Sequence, residues 1–303
     1  MGSGSLLLNI RKYVDDPKKV RYYGQEINNA TYNLARMNMI IHDIPQANQH
    51  LRNADTLDAD WPTDEITVFD GVVMNPPYSA KWSAAAGFLQ DPRFAQYGVL
   101  APKSKADYAF LLHGFYHLKD SGTMAIVLPH GVLFRGAAEG KIRQKMLESG
   151  YIHAVIGLPA NIFYSTSIPT CIVVLKKDKP ERDVLFIDAS KEFTKQKAQN
   201  TMEPKHIEKI FDAYKKWQDQ EKFCHLASFE EIQKNDFNLN IPRYVDTFEE
   251  EAPIDLGAVT DDLQTLDKDI AASEAELKTM LTQLTSPDEK TMADLQKLLA
   301  LLQ

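Results

Sequence analysis

The run Val68-Phe69-Asp70-Gly71-Val72-Val73-Met74 stops at Asn75-Pro76-Pro77-Tyr78. Two consecutive prolines have no backbone donor and hold φ near −65°, so a strand entering them must end there. A mostly apolar strand of this length suits a sheet covered on both faces, and ligands of open α/β sheets lie at the carboxyl ends of such strands. The tetrapeptide therefore sets an amide side chain, a rigid carbonyl and an aromatic ring at a sheet rim.

Strands and helices alternate around that element. Residues 19–26 read as a strand running into a turn, and Asn29 caps a helix carrying Leu34, Met37 and Ile41 at helical spacing. A short extended piece around Leu51 ends at Asn53-Ala54-Asp55. A helix from about Lys105 to Lys119 presents Phe110, Leu111, Phe115 and Leu118, and Met124 to Leu128 is a strand stopped by Pro129. Residues 137–149 form an amphipathic helix with Gly150 as its C-cap. The strands Ile152 to Leu158 and Cys171 to Leu175 are joined by a loop without a helix, so they should pair antiparallel. The expected fold is α/β: a doubly wound, mostly parallel sheet with an antiparallel edge.

A helix over 202–223 directs Ile207, Ile210, Phe211, Tyr214 and Trp217 to the core. Beyond Pro253 the positions Val259, Leu263, Leu266, Ile270, Leu277, Met280 and Leu284 follow a seven-residue repeat, with Ser273 at one seam position. Such a stripe needs an apolar partner. Ser286-Pro287-Asp288-Glu289 reads as a capping box that opens a last helix. The expected organisation is a domain over 1–245 and a helical arm over 246–303.

At 303 residues and 44% hydrophobic content the chain can bury a sizeable core. Its two cysteines, Cys171 and Cys224, lack paired spacing, which argues against a disulfide framework or thiolate metal site and suits a reducing cytoplasm. No leader-like segment is read, and the apolar runs are too short to cross a bilayer, so no membrane association is expected. The net charge of −8 is awkward for gripping phosphates. Basic residues cluster at Lys141, Arg143 and Lys145 and at Lys176, Lys177 and Lys179, whereas Glu249, Glu250, Glu251 and Asp255 make the start of the arm acidic. If nucleic acid is the substrate, a partner must supply much of the hold.

The rim groups suit one chemistry in particular. Asn75 Oδ1 and the Pro76 carbonyl can accept both N–H bonds of an exocyclic amine on an extruded base, while Tyr78 stacks on the ring. That amine's lone pair is delocalised into the ring, and two aimed acceptors localise it and stabilise the positive charge that develops as it attacks a methylsulfonium. Neither a covalent enzyme intermediate nor a metal is needed. The competing reading is a plain Pro-Pro turn at a strand end.

An ordered set of segments carries a resemblance. These are Gly2-Ser3-Gly4-Ser5-Leu6-Leu7, Tyr23-Gly24-Gln25-Glu26, Arg36-Met37-Asn38, Asn53-Ala54-Asp55-Thr56-Leu57, Asn75-Pro76-Pro77-Tyr78 and Phe163-Tyr164-Ser165-Thr166-Ser167-Ile168-Pro169-Thr170. Together they make residues 1 to about 245 resemble the amino-methyltransferases that use S-adenosyl-L-methionine, and more closely the modification (M) subunit of type I restriction-modification systems. The resemblance implies a DNA N6-adenine methyltransferase with a Rossmann-like fold. It implies a cofactor site formed by Gly2, Gly4, Ser5, Glu26, Asp55 and Asn75, with Glu26 on the ribose hydroxyls and Asp55 facing the adenine amine. Asn75, Pro76, Pro77 and Tyr78 become the catalytic motif, and Phe163, in preference to Tyr164, packs on the flipped base. Asp107 and Phe110 border the site or serve as a helix-start residue and a core aromatic.

The resemblance further implies DNA as a partner, a specificity (S) subunit docked on the C-terminal helix, and room for a restriction (R) subunit. One departure stands out. Family members have a first strand and a Pro-x-x-Gly-x-Gly turn, whereas Gly2-Ser3-Gly4-Ser5 matches only the second half of that turn. The expectation is an N-terminally truncated chain lacking that strand and an upstream helical domain. Two alternatives share these residues: a catalytically inactive methyltransferase-fold scaffold, and an amino-methyltransferase acting on RNA or on protein glutamine.

Overall fold

A computed structural model describes residues 1–58, 60–63, 68–164, 166–247 and 255–301. Ser165, Pro253 and the acidic run Glu249, Glu250 and Glu251 lie outside the described residues. The chain divides into two compact units, Met1–Phe248 and Glu249–Gln303.

In the first unit, β1 (Tyr22–Gln25) and β2 (Gln49–Arg52) form a separate parallel pair, connected through α2 (Asn29–Ile41). Ahead of them lies α1 (Ser5–Asn9). The main sheet contains β3 (Phe69–Met74), β4 (Leu118–Pro129), β5 (Ile152–Gly157), β6 (Thr170–Lys176), β7 (Val184–Asp188) and β8 (Cys224–Ala227), in the spatial order β3-β4-β6-β5-β7-β8. Strands β3, β4, β5 and β7 run one way, while β6 and β8 run the other. The sheet is thus mostly parallel, as expected.

The antiparallel strand expected at the edge, β6, instead sits between β4 and β5; the edge is taken by β8. Side chains explain the exchange. Cys171, Val173, Val174 and Leu175 of β6 are all buried, which requires a covered interior position, whereas the short β8 has two half-exposed residues and tolerates an open side.

Two apolar layers cover the sheet. Val155, Leu175 and Phe186 face a cluster that includes Leu111 and Leu112 of α3 (Asp107–Tyr116) and Ile142 and Met146 of α4 (Ala137–Glu148). Their neighbours Ala154, Val174, Leu185 and Ile187 face the opposite cluster with Ala213 of α5 (Pro204–Lys216). The β1–β2 pair approaches the main sheet through rings: Tyr23 stacks on His50 at 4.3 Å and lies 5.1 Å from Phe69 at the start of β3.

Several boundaries and faces differ from the sequence reading. The cap of α2 is Asn28, whose side chain accepts from Thr31 N at 3.0 Å, and the buried face carries Ala35 and Met39 while Leu34, Met37 and Ile41 are exposed. Helix α5 stops at Trp217, which adopts a left-handed φ of 51°; Ile207 and Phe211 are exposed, and only Ile210, Tyr214 and Trp217 pack inward with Ala213. After α6 (Phe229–Lys234), the second unit carries α7 (Leu256–Thr282) and α8 (Glu289–Leu301). The α8 cap is Asp288, accepting from Thr291 N at 3.0 Å, rather than Ser286. Two residues closer to the helix, Asp288 reaches its third amide.

Candidate functional site at the end of strand β3

Strand β3 is laddered to β4 up to the pair Met74 and Ile126, and then the elbow begins. Asn75 and Pro77 are exposed, Pro76 is buried and Tyr78 is half-buried. The Tyr78 hydroxyl donates to Asn75 Oδ1 at 2.9 Å. Burial is the main cause that pushes this phenol up to about 12, with Cys171 adding to the rise and the Asn75 bond opposing it, so Tyr78 is a neutral donor at ordinary pH. An amide oxygen has two lone pairs, which leaves Asn75 Oδ1 one more to offer.

The elbow leaves through Ser79, at a left-handed φ of 50°. Ser79 N–H donates to Asp107 Oδ1 at 2.8 Å, and Asp107 Oδ2 accepts from Arg135 Nη2 at 2.6 Å. Arg135 is in turn forked onto Glu139, at 2.5 and 2.9 Å. Asp107 is fully buried, and a buried carboxylate is tolerable only when paired in this way. Ala106 N bonds Ala80 O at 2.8 Å and Trp82 N bonds Lys103 O at 3.1 Å, so the exit segment is strapped to the start of α3.

Phe163 reaches the elbow. Its ring meets Tyr78 edge-on at 6.5 Å while its other face packs with the apolar cluster on that side of the sheet. Tyr164 is 100% exposed. The fold thus gathers Asn75, Pro76, Tyr78 and Phe163, and leaves Tyr164 outside.

The second group of candidates lies at the end of β1. Gly2 and Gly4 have φ of 61° and 81°, which glycine alone adopts without strain, and a Cβ on Gly2 would meet open space. Gly2 N donates to Glu26 Oε2 at 2.9 Å and Asn28 N to Glu26 Oε1 at 3.0 Å, while Ser5 Oγ bonds Ser3 Oγ at 2.9 Å. Glu26 Oε2 also faces the Met1 ammonium at 3.6 Å, and each Glu26 oxygen keeps a lone pair for a hydroxyl donor, so the glycine turn facing this carboxylate fits a ribose-bearing cofactor. Asp55 closes its own turn by accepting from Leu57 N at 2.9 Å. Asn53 ties that turn to β1, donating to Glu26 O at 2.7 Å.

Sequence reading missed Arg135 and Glu139, although their four-residue spacing was a usable signal. It also missed a buried polar knot in which Arg93 donates to the carbonyls of Thr56 and Leu57, pairs with Asp91 at 2.7 Å, and meets His113 Nδ1 at 3.1 Å. Asp60, His113 and His117 lie within metal-ligand reach of one another. The Arg93 guanidinium occupies the His113 lone pair and stands 3.8 Å from Asp60, so this chemistry suits an internal ion network rather than a cation. The two basic clusters are largely spent internally: Arg143 donates to the carbonyls of Val132, Arg135 and Phe237, Lys145 to Gln96, Lys177 to Tyr116 and Leu118, and Lys179 to Ile152 and Asp183. No described helix is long and apolar enough to cross a membrane.

A mostly parallel mixed sheet covered on both faces, with a polar elbow at a carboxyl rim, defines an open α/β protein of the kind that binds ligands at strand ends. The fold agrees with a putative class I S-adenosylmethionine-dependent methyltransferase from Listeria monocytogenes, at TM-score 0.52 and 20% identity over 71% of this chain and 62% of that one. More specifically, the chain belongs to the N-6 DNA methylase family, whose model matches residues 1–252. It is 42% identical over 266 residues to the type I restriction enzyme MpnII methylase subunit of Mycoplasma pneumoniae, covering 84% of this chain and 49% of that protein. The crystal structure of a type I restriction-modification methyltransferase subunit from Streptococcus thermophilus matches at TM-score 0.80 and 69% identity, over 81% of this chain and 53% of that one. The chain spans about half the length of the curated relatives it matches.

Proposed function

We propose that this chain forms the catalytic part of a type I modification subunit, transferring a methyl group to the N6 amine of a flipped adenine in DNA. The observation that carries this reading is the exposed Asn75 amide beside the Pro76 carbonyl and Tyr78, with Phe163 edge-on at 6.5 Å. Asn75 Oδ1 and the Pro76 carbonyl orient the amine and stabilise its developing charge, Tyr78 stacks on the base, and Phe163 closes over it. Pro77 keeps the elbow rigid.

S-adenosyl-L-methionine, when bound, supplies the activated methyl group. Gly2, Gly4, Ser5, Glu26, Asp55 and Asn75 would hold it, with Glu26 accepting from the ribose hydroxyls. DNA is the substrate and a separate specificity subunit reads its sequence, docked on the apolar stripe of α7; a restriction subunit completes assemblies of this kind. Few lysines and arginines in the described clusters remain free for phosphates, which agrees with a grip supplied by partners. A cytoplasmic location follows from this role.

The test is Asn75→Ala in the full-length subunit assembled with its specificity subunit. Transfer of tritiated methyl groups should fall by at least about 100-fold while calorimetric affinity for S-adenosyl-L-methionine changes little. Retained turnover would remove Asn75 from the mechanism.

A further inference from the structure

The elbow's two ends are held differently. Its amino end continues the β3–β4 ladder, but its carboxyl end turns through Ser79 at a φ of 50°. A backbone in that region returns to commoner angles unless its surroundings hold it. The backbone bonds at Ala80 and Trp82 strap the segment after it, and at Ser79 itself the hold is the charged bond from its N–H to Asp107 Oδ1 at 2.8 Å. An acid in the first turn of a helix ordinarily serves its own amides or dipole. Asp107 instead reaches across to the elbow, although it is fully buried and must be balanced by Arg135, itself fixed by Glu139.

We propose that Asp107, locked by Arg135 and Glu139, is a positioning residue for the transfer step: it fixes the Ser79 backbone and thereby aims Asn75 Oδ1 and the Pro76 carbonyl at the amine. The inference rests on the elbow reading above. Its physical basis is that two acceptors help only when both point at the same nitrogen, and a misplacement of about 1 Å can cost about 100-fold in rate. Arg135 and Glu139 contribute by holding the Asp107 carboxylate in one rotamer, since a buried carboxylate without its partner is costly and would swing away from Ser79.

The experiment compares Asp107→Ala, Asp107→Asn and Arg135→Gln in the full-length subunit assembled with its specificity subunit. Single-turnover methyl transfer from tritiated S-adenosyl-L-methionine is measured on unmethylated genomic DNA and normalised to cofactor-binding sites. Asp107→Ala should slow the step by at least about 100-fold with cofactor affinity within about threefold of the parent. Asp107→Asn, whose amide oxygen still accepts from Ser79 N–H, should recover the rate to within about tenfold. A purely structural role would instead lower the yield of folded protein at an unchanged rate per site. Normal rates per site in Asp107→Ala, or equal losses in the Ala and Asn variants, would overturn the proposal. If Asp107→Ala does not fold, Arg135→Gln decides, because its partly exposed side chain can be replaced without opening the core: a rate reduced about tenfold supports the inference and an unchanged rate overturns it. An active Asn75→Ala would remove the elbow reading itself, and this inference with it, independently of any Asp107 variant.

Discussion

Two neighbouring aromatic residues, Phe163 and Tyr164, show how much one position along the chain decides. Both were legible as candidates for the target base, but only Phe163 meets Tyr78, at 6.5 Å, while Tyr164 is fully exposed. Aromatic stacking on a base contributes about 1–3 kcal/mol. Phe163→Ala should therefore weaken extrusion of a 2-aminopurine placed at the target adenine by about five- to 150-fold, read as fluorescence in the assembled enzyme, and Tyr164→Ala should change it by less than about threefold. The reverse order would move the stacking role to Tyr164. Asp55 illustrates the opposite case: its residue type was legible, but one carboxylate oxygen is already engaged by the amide of Leu57, so any cofactor contact must use what remains.

At the scale of elements, α3 does more than fill the core. It supplies Asp107 at one end and His113 near the other, and His113 is buried against Arg93, Asp91, Asp60 and His117. Burial chiefly, then the electrostatic influence of His117 and of the Arg93 guanidinium, hold the His113 imidazole down at about 3, so its Nδ1 stays an acceptor for Arg93. In the unfolded chain that imidazole returns to its ordinary value near 6.5. Between these limits the unfolded state binds the extra proton, so stability is intact above about pH 6.5 and falls on acidification, by up to about 1.4 kcal/mol per pH unit. The Asp60 carboxyl, held below its usual range despite burial by its bond to His117 and the charges of His117 and Arg93, adds a loss of the same sign at the acid end. Thermal unfolding between pH 7 and 4 should show this slope, and His113→Gln should flatten it; an identical slope in the variant would mean that His113 is not the group responsible. The same knot anchors the carbonyls of Thr56 and Leu57, just after Asp55, so acid loosening would reach the turn beside Glu26.

For the molecule as a whole, the stripe on α7 poses the question of partners. None of its residues is buried, and Leu263, Leu266 and Ile270 are each more than half exposed. Surface substitutions of this kind shift stability by no more than about 0.5 kcal/mol. Replacing Leu266 and Ile270 together by Gln should therefore leave the melting temperature of the chain nearly unchanged, yet abolish co-purification with the specificity subunit. Undiminished co-purification would remove α7 as the docking element.

Much of this molecule was readable from local order along the chain. Proline pairs end strands wherever they fall and apolar runs need a covered sheet, so the α/β class was legible in advance, and the same local order is what raised the elbow and the helical arm as candidates. Which strand lies inside the sheet, which helix face turns inward and which acid holds Ser79 were not, because each depends on groups far apart in sequence. β6 is interior because both its faces are buried, α2 turns Ala35 and Met39 inward because Gly4 and its neighbours pack there, and Asp107 serves the elbow because the fold brings residues 79, 107 and 135 together. Residue order determined which chemistry was available; only tertiary packing, by desolvating some charges and pairing others, decided which groups are aimed at the rim and which are spent holding it in place.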